Sequence, residues 1–147
     1  MKKAAFTIIE IIFVIVILGI LAAVAIPMMT ATRKDAKVSS IAQNIAITAA
    51  EISTYAVAHG DTNDDFSTMS KAIVSLQNSG NATLSNNKAV ILIDGENCLE
   101  IKVQKTATNN DLIINLLSTN NDMCTSVQSL IDAAKYPMRL RGRSVVY

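Results

Sequence analysis

Apolar residues fill positions 6–26 with one charged interruption, Glu10. At about 1.5 Å per residue these 21 positions make roughly 31 Å of helix, close to a hydrocarbon core of about 30 Å, so the run predicts a membrane-spanning helix. Beyond Pro27 the pattern changes. Val38, Ile41, Ile45, Ala49, Ile52 and Ala56 recur at spacings of three and four, which predicts a resumed, amphipathic helix with one face on a soluble core. His59 and Gly60 predict its end, because Gly supplies a left-handed cap and a cationic His suits the C-terminal dipole. The polar stretch Asp61-Thr62-Asn63-Asp64-Asp65 starts like a calcium loop. It departs from one at the sixth position, Phe66 for Gly, and at the twelfth, Ala72 for Glu, so a linker is expected. Ser67 then predicts the cap of a helix with Met69, Ile73 and Leu76 inside and Gly80 at its stop.

The period shortens to two further on. Residues 89–93, the turn residues 94–97, and Leu99, Ile101 and Val103 alternating with Glu100, Lys102 and Gln104 predict a β-hairpin. Residues 112–117 predict a third strand after a loop at 106–111. Asn121 or Asp122 is placed to cap a helix carrying Met123, Val127, Leu130, Ile131 and Ala134, and Pro137 opens a last extended run. The expected fold is α+β: a long N-terminal helix, its first half transmembrane, packed on a small antiparallel sheet with additional short helices.

Composition adds mainly exclusions. Thirteen basic and twelve acidic side chains leave a charge of +1, which argues for no polyanionic partner. With one His and no Trp, no set of acid, base and nucleophile emerges, so the chain is read as a non-enzyme without cofactor or metal. Cys98 and Cys124 form no CxxC pair, and in an exported domain their even number favours a disulfide over two buried thiols. Cys98 shares strand parity with Glu100 rather than Leu99, so such a bridge requires a bulge or a helix covering that face. Arg139, Arg141 and Arg143 alternate and in a strand share one side, a row suited either to phosphates, DNA included, or to keeping a sheet edge from aggregating. Asn81-Ala82-Thr83 matches a glycosylation triplet, a pattern too common to assign a glycan.

Glu10 is the informative residue. A carboxylate within a membrane span is unfavourable unless partnered, and no cationic side chain lies between residues 6 and 32. A secretory signal is one reading, since Lys2 and Lys3 precede the apolar run and Ala23-Val24-Ala25 fits a cleavage site after Ala25. An inert anchor for a lone exported module, binding anions through the arginine row, is another. A third supplies the cation by proteolysis: cleavage after Ala5 removes both lysines and gives Phe6 a free α-amine four residues before Glu10, on the same helical face. Amine and carboxylate then pair within one helix or between neighbouring chains, where the pair sets register.

Lys2 and Lys3, a small residue at the cut, Phe6-Thr7-Ile8-Ile9-Glu10, the apolar helix, Gly19 and Pro27 together resemble the type IV pilins and pseudopilins. That resemblance implies a leader of residues 1–5, cleavage between Ala5 and Phe6, N-methylation of Phe6, and assembly through Phe6, Thr7 and Glu10. Ala5 departs from the Gly usual before the cut. The resemblance further implies helix weakened between Gly19 and Pro27, where the first is permissive and the second lacks an N–H. The expected organisation is a leader at 1–5, an assembly helix at 6–27, its amphipathic continuation at 28–60 and a globular head at 61–147. Expected partners are identical or homologous pilin subunits, a prepilin peptidase and methylase, an inner-membrane assembly platform, and membrane lipid before assembly. The implied location is the bacterial inner membrane with a cytoplasmic N-terminus, then a periplasmic or surface filament serving a type IV pilus, type II secretion or competence. Removing the leader leaves 11 basic against 12 acidic side chains, which weakens the DNA reading.

Overall fold

The computed structural model describes residues 7–106 and 109–140. The chain divides into two compact units, Met1–Lys37 and Val38–Tyr147. Helix α1, Ile8–His59, contributes to both.

In the first unit every described residue through position 36 is exposed. The helix does not stop and resume at Pro27 as the change of pattern suggested; it runs through both Gly19 and Pro27. Proline removes a single donor from the ladder, and a helix long enough on both sides absorbs that loss. Thr30 Oγ1 donates to the Pro27 carbonyl at 2.8 Å and Thr32 Oγ1 to the Met28 carbonyl at 2.9 Å, so hydroxyls after the proline are satisfied within the helix.

In the second unit the predicted stripe, Val38 through Ala56, is buried, with Thr48 completing it. It packs in one cluster with the inner face of a five-stranded antiparallel sheet in simple meander order. The strands are β1 (Ala82–Ser85), β2 (Lys88–Ile93), β3 (Glu96–Lys105), β4 (Asn110–Leu116) and β5 (Met138–Arg139). Leu99, Ile101 and Val103 of β3 face the core, as their alternation predicts, and so do Ala89, Ile91 and Ile93 of β2, whose run is apolar throughout and does not itself mark the inner face. Asp94 and Gly95, with φ of 53° and 84°, make the tight β2–β3 turn. Both central residues of such a turn need left-handed backbone, which Asp tolerates and Gly adopts freely.

Three expectations need correction. The helix assigned to a Ser67 cap is two helices, α2 (Phe66–Met69) and α3 (Lys71–Asn78). Asp65 caps the first, and Ser70, in extended conformation, breaks the run and caps the second through its bond from the Ile73 N–H. The helix expected to reach Ala134 is α4 (Asp122–Leu130), capped by Asn121. It ends where Ile131 turns extended and Asp132 caps a separate 3-10 turn at Ala133–Lys135. Strand β1 was not foreseen, because four residues of mixed polarity between asparagines carry little periodic signal.

The bridge between Cys98 and Cys124 is formed, with Cα atoms 5.5 Å apart. Both halves of the parity problem are met. Ile91 pairs with Leu99 while Leu92 pairs with Asn97, leaving Cys98 as the extra residue of a bulge that turns it inward beside Leu99. Helix α4 supplies the partner, and Gln128 Nε2 ties it down by donating to the Cys98 and Leu117 carbonyls, each at 2.8 Å.

Candidate functional site

Glu10 lies in the first turn of α1, and its geometry follows from the sequence Thr7-Ile8-Ile9-Glu10. A helix start leaves backbone N–H groups without partners, and a Thr followed three residues later by Glu satisfies one of them. Glu10 Oε2 folds back to accept the Thr7 backbone N–H at 2.8 Å and the Thr7 hydroxyl at 2.6 Å. The Thr7 carbonyl in turn accepts the Glu10 N–H at 3.1 Å. This arrangement was legible as a T-x-x-E capping box, a pattern that reading Glu10 only as a misplaced charge passes over. It aims the carboxylate toward the N-terminal end of the helix, where negative charge also complements the dipole.

The carboxylate sits beside an apolar surface. Ile9, Ile12, Phe13 and Val16 line a shallow groove next to it. Ile9 is 71% and Phe13 65% exposed, so among the described residues of this unit little covers them. The most apolar 18-residue window of α1 has a mean hydropathy of 3.1 and none of it is buried. By length and composition, so large a continuous apolar surface fits a membrane-anchoring helix. Ala5 and Phe6, assigned to cleavage, methylation and assembly, lie outside the described residues.

The other residues singled out in the sequence have mostly structural surroundings. His59 stacks on Tyr55 with ring centroids 4.0 Å apart, and its Nδ1 donates to the Tyr55 carbonyl at 3.0 Å. In the loop resembling a calcium site, Asp61 Oδ1 accepts from Thr62 N at 2.7 Å and from Asn110 Nδ2 at 2.6 Å. Asp64 pairs with Lys105 at 2.5 Å, and that ammonium holds its carboxyl below the ordinary value. Asp65 Oδ1 caps α2 through the Ser67 N–H. These bonds turn the loop carboxylates onto the protein rather than toward a common centre. Of the arginine row only Arg139 is described, exposed on β5 and opposite Asp111 in register; Arg141 and Arg143 lie outside the described residues.

Glu51 emerges only from the structure. From α1 it accepts the Ser70 hydroxyl at 2.6 Å and the Ala72 N–H at 3.1 Å, anchoring the start of α3 to the long helix. Burial opposes its charge, but bonds from Ser70 and from the Ala72 and Lys71 N–H groups outweigh this and hold its carboxyl below the usual value. No local pattern signals it, since 19 residues separate Glu51 from Ser70.

Residues 1–26 match the prokaryotic N-terminal methylation motif, the type IV pilin and prepilin signature. No curated protein and no solved structure matches the chain.

Proposed function

We propose that this chain is a type IV pilin-like filament subunit, inserted in the membrane by α1, cut between Ala5 and Phe6, methylated at Phe6, and polymerised through its N-terminal helix. The observation that carries the reading is Glu10 within the motif-matched segment: an acid turned toward the helix start, beside an uncovered apolar surface. Chain connectivity puts an amine on residue 6 one peptide unit from Thr7, whose N–H Glu10 already accepts. Once uncovered, that amine neutralises the carboxylate of its own helix or of a chain docking with a small axial offset. In a low-dielectric surround an uncompensated partner is strongly disfavoured, so the pair selects subunit register even where its net stabilisation is small. Gly19 and Pro27 are the weak points at which the helix would yield on packing, one by permissive backbone and the other by a missing donor.

Glu10→Gln in the full chain, expressed with a processing and assembly apparatus, tests this. The variant keeps volume and a hydrogen-bond acceptor and removes the charge. Filaments are expected to be lost while the head, followed by its disulfide and thermal melting, stays native. Filament yield equal to wild type would contradict the proposal.

A further inference from the structure

The stretch between the apolar span and the second unit has features of a membrane-surface element. Building on the membrane-inserted reading above, we propose that Arg33 and Lys34 bind the phosphates of anionic phospholipids at the exported face of the bilayer, fixing the depth of the subunit before it assembles. The apolar run ends at Ile26, and Arg33 follows seven residues later, about 10 Å along a helix. The interfacial layer beyond the hydrocarbon is of comparable thickness, roughly 5–8 Å on each side, and long basic side chains reach back toward the phosphates. The intervening positions suit that layer. Met28 and Met29 are exposed, and the hydroxyls of Thr30 and Thr32 are satisfied by carbonyls of their own helix.

Charge placement points the same way. At about 100° per residue, Asp35 lies about 160° around α1 from Arg33 and flanks Lys34 as closely as Arg33 does, yet residues 33–37, with Lys37 included, keep an excess of basic over acidic side chains. Both cations are exposed, and no ion pair described between side chains involves either. Cleavage after Ala5 removes Lys2 and Lys3, which leaves the mature chain's basic side chains nearest the bilayer on the far flank, the reverse of the usual cytoplasmic bias. Basic side chains within a Debye length of an anionic surface each favour it about fivefold.

The test reconstitutes the full chain, wild type and Arg33→Gln/Lys34→Gln, in vesicles of phosphatidylcholine with a minor fraction of phosphatidylglycerol. Spin-labelled analogues of each lipid report their relative association with the protein. Wild type is expected to favour phosphatidylglycerol by about an order of magnitude or more, the double variant to lose most of that preference, and the wild-type preference to fall at high salt. Equal selectivity of the two proteins overturns the proposal, because Lys2 and Lys3 are present in both. A double variant with wild-type lipid selectivity but defective filaments, rescued by neutralising an acidic head residue, also overturns it and assigns the pair to subunit contact. Failure of the chain to float with vesicles or to resist alkaline extraction is a separate result, and it removes the membrane reading itself.

Discussion

Two carboxylates show how a single acidic residue acquires its role from what it faces. Glu10 caps its own helix through Thr7, yet one turn of helix cannot account for an acid among exposed isoleucines, and the amine proposed on residue 6 completes its surroundings. Glu51 is a structural counterpart, holding α3 through Ser70 and Ala72. Glu51→Ala is expected to destabilise the head by about 1–2 kcal/mol, read as a lower urea midpoint without loss of the disulfide. Its folded-state pKa is depressed, so its contribution is complete above the unfolded value near 4.5 and is lost as pH falls through the lowered folded value. Glu51→Gln should therefore flatten part of the acid limb of the stability profile, measured by melting between neutral and acidic pH. An unchanged limb would mean that the bonds at Ser70 and Ala72 do not favour the charged form. Of these two sites, Glu10 is legible from sequence because its partner is three residues away. Glu51 is not, because its partners arrive only when the fold brings Ser70 and Ala72 alongside α1.

At the scale of elements, periodicity succeeds where one face is buried over many residues and fails where a capping side chain decides. The stripe from Val38 to Ala56 and the alternation of β3 are read directly from spacing. Ser70 and Asp132 instead redirect the backbone through single hydrogen bonds, splitting one expected helix and shortening another, at positions where spacing alone predicts helix interior. The Cys98 bulge is an intermediate case. Strand parity announces that something irregular is needed, whereas the register shift opposite Ile91 and Leu92 is known only from pairing. Because the bridge joins β3 to α4 across a separation of 26 residues, it removes freedom from the unfolded chain worth about 3–4 kcal/mol. Cys98→Ala/Cys124→Ala is expected to lose most of that in oxidising buffer, and reduction of wild type should reproduce the loss. A double variant melting with oxidised wild type would show that Gln128 and the surrounding core hold α4 without the bridge.

For the whole molecule, the two units ask opposite things of their surroundings. The second hides its apolar stripe, β2, β3 and β4 in a core of its own, while in the first the apolar side chains from Ile8 to Met29 are exposed. The uncovered span fits membrane anchoring, and the methylation motif matches that same end of the chain, residues 1–26. The motif spans only the opening of the chain, so only patterning speaks for the head, and the short edge strand β1 carries too little of it to be legible. All of the proposed chemistry passes through one covalent event, the exposure of an amine at residue 6. Mass determination of the N-terminal peptide from filament-producing cells tests it most directly. The mature chain is expected to begin at Phe6 and to be heavier by one methyl group; a peptide that retains Lys2 and Lys3, or one that begins at Ile26, overturns the assignment.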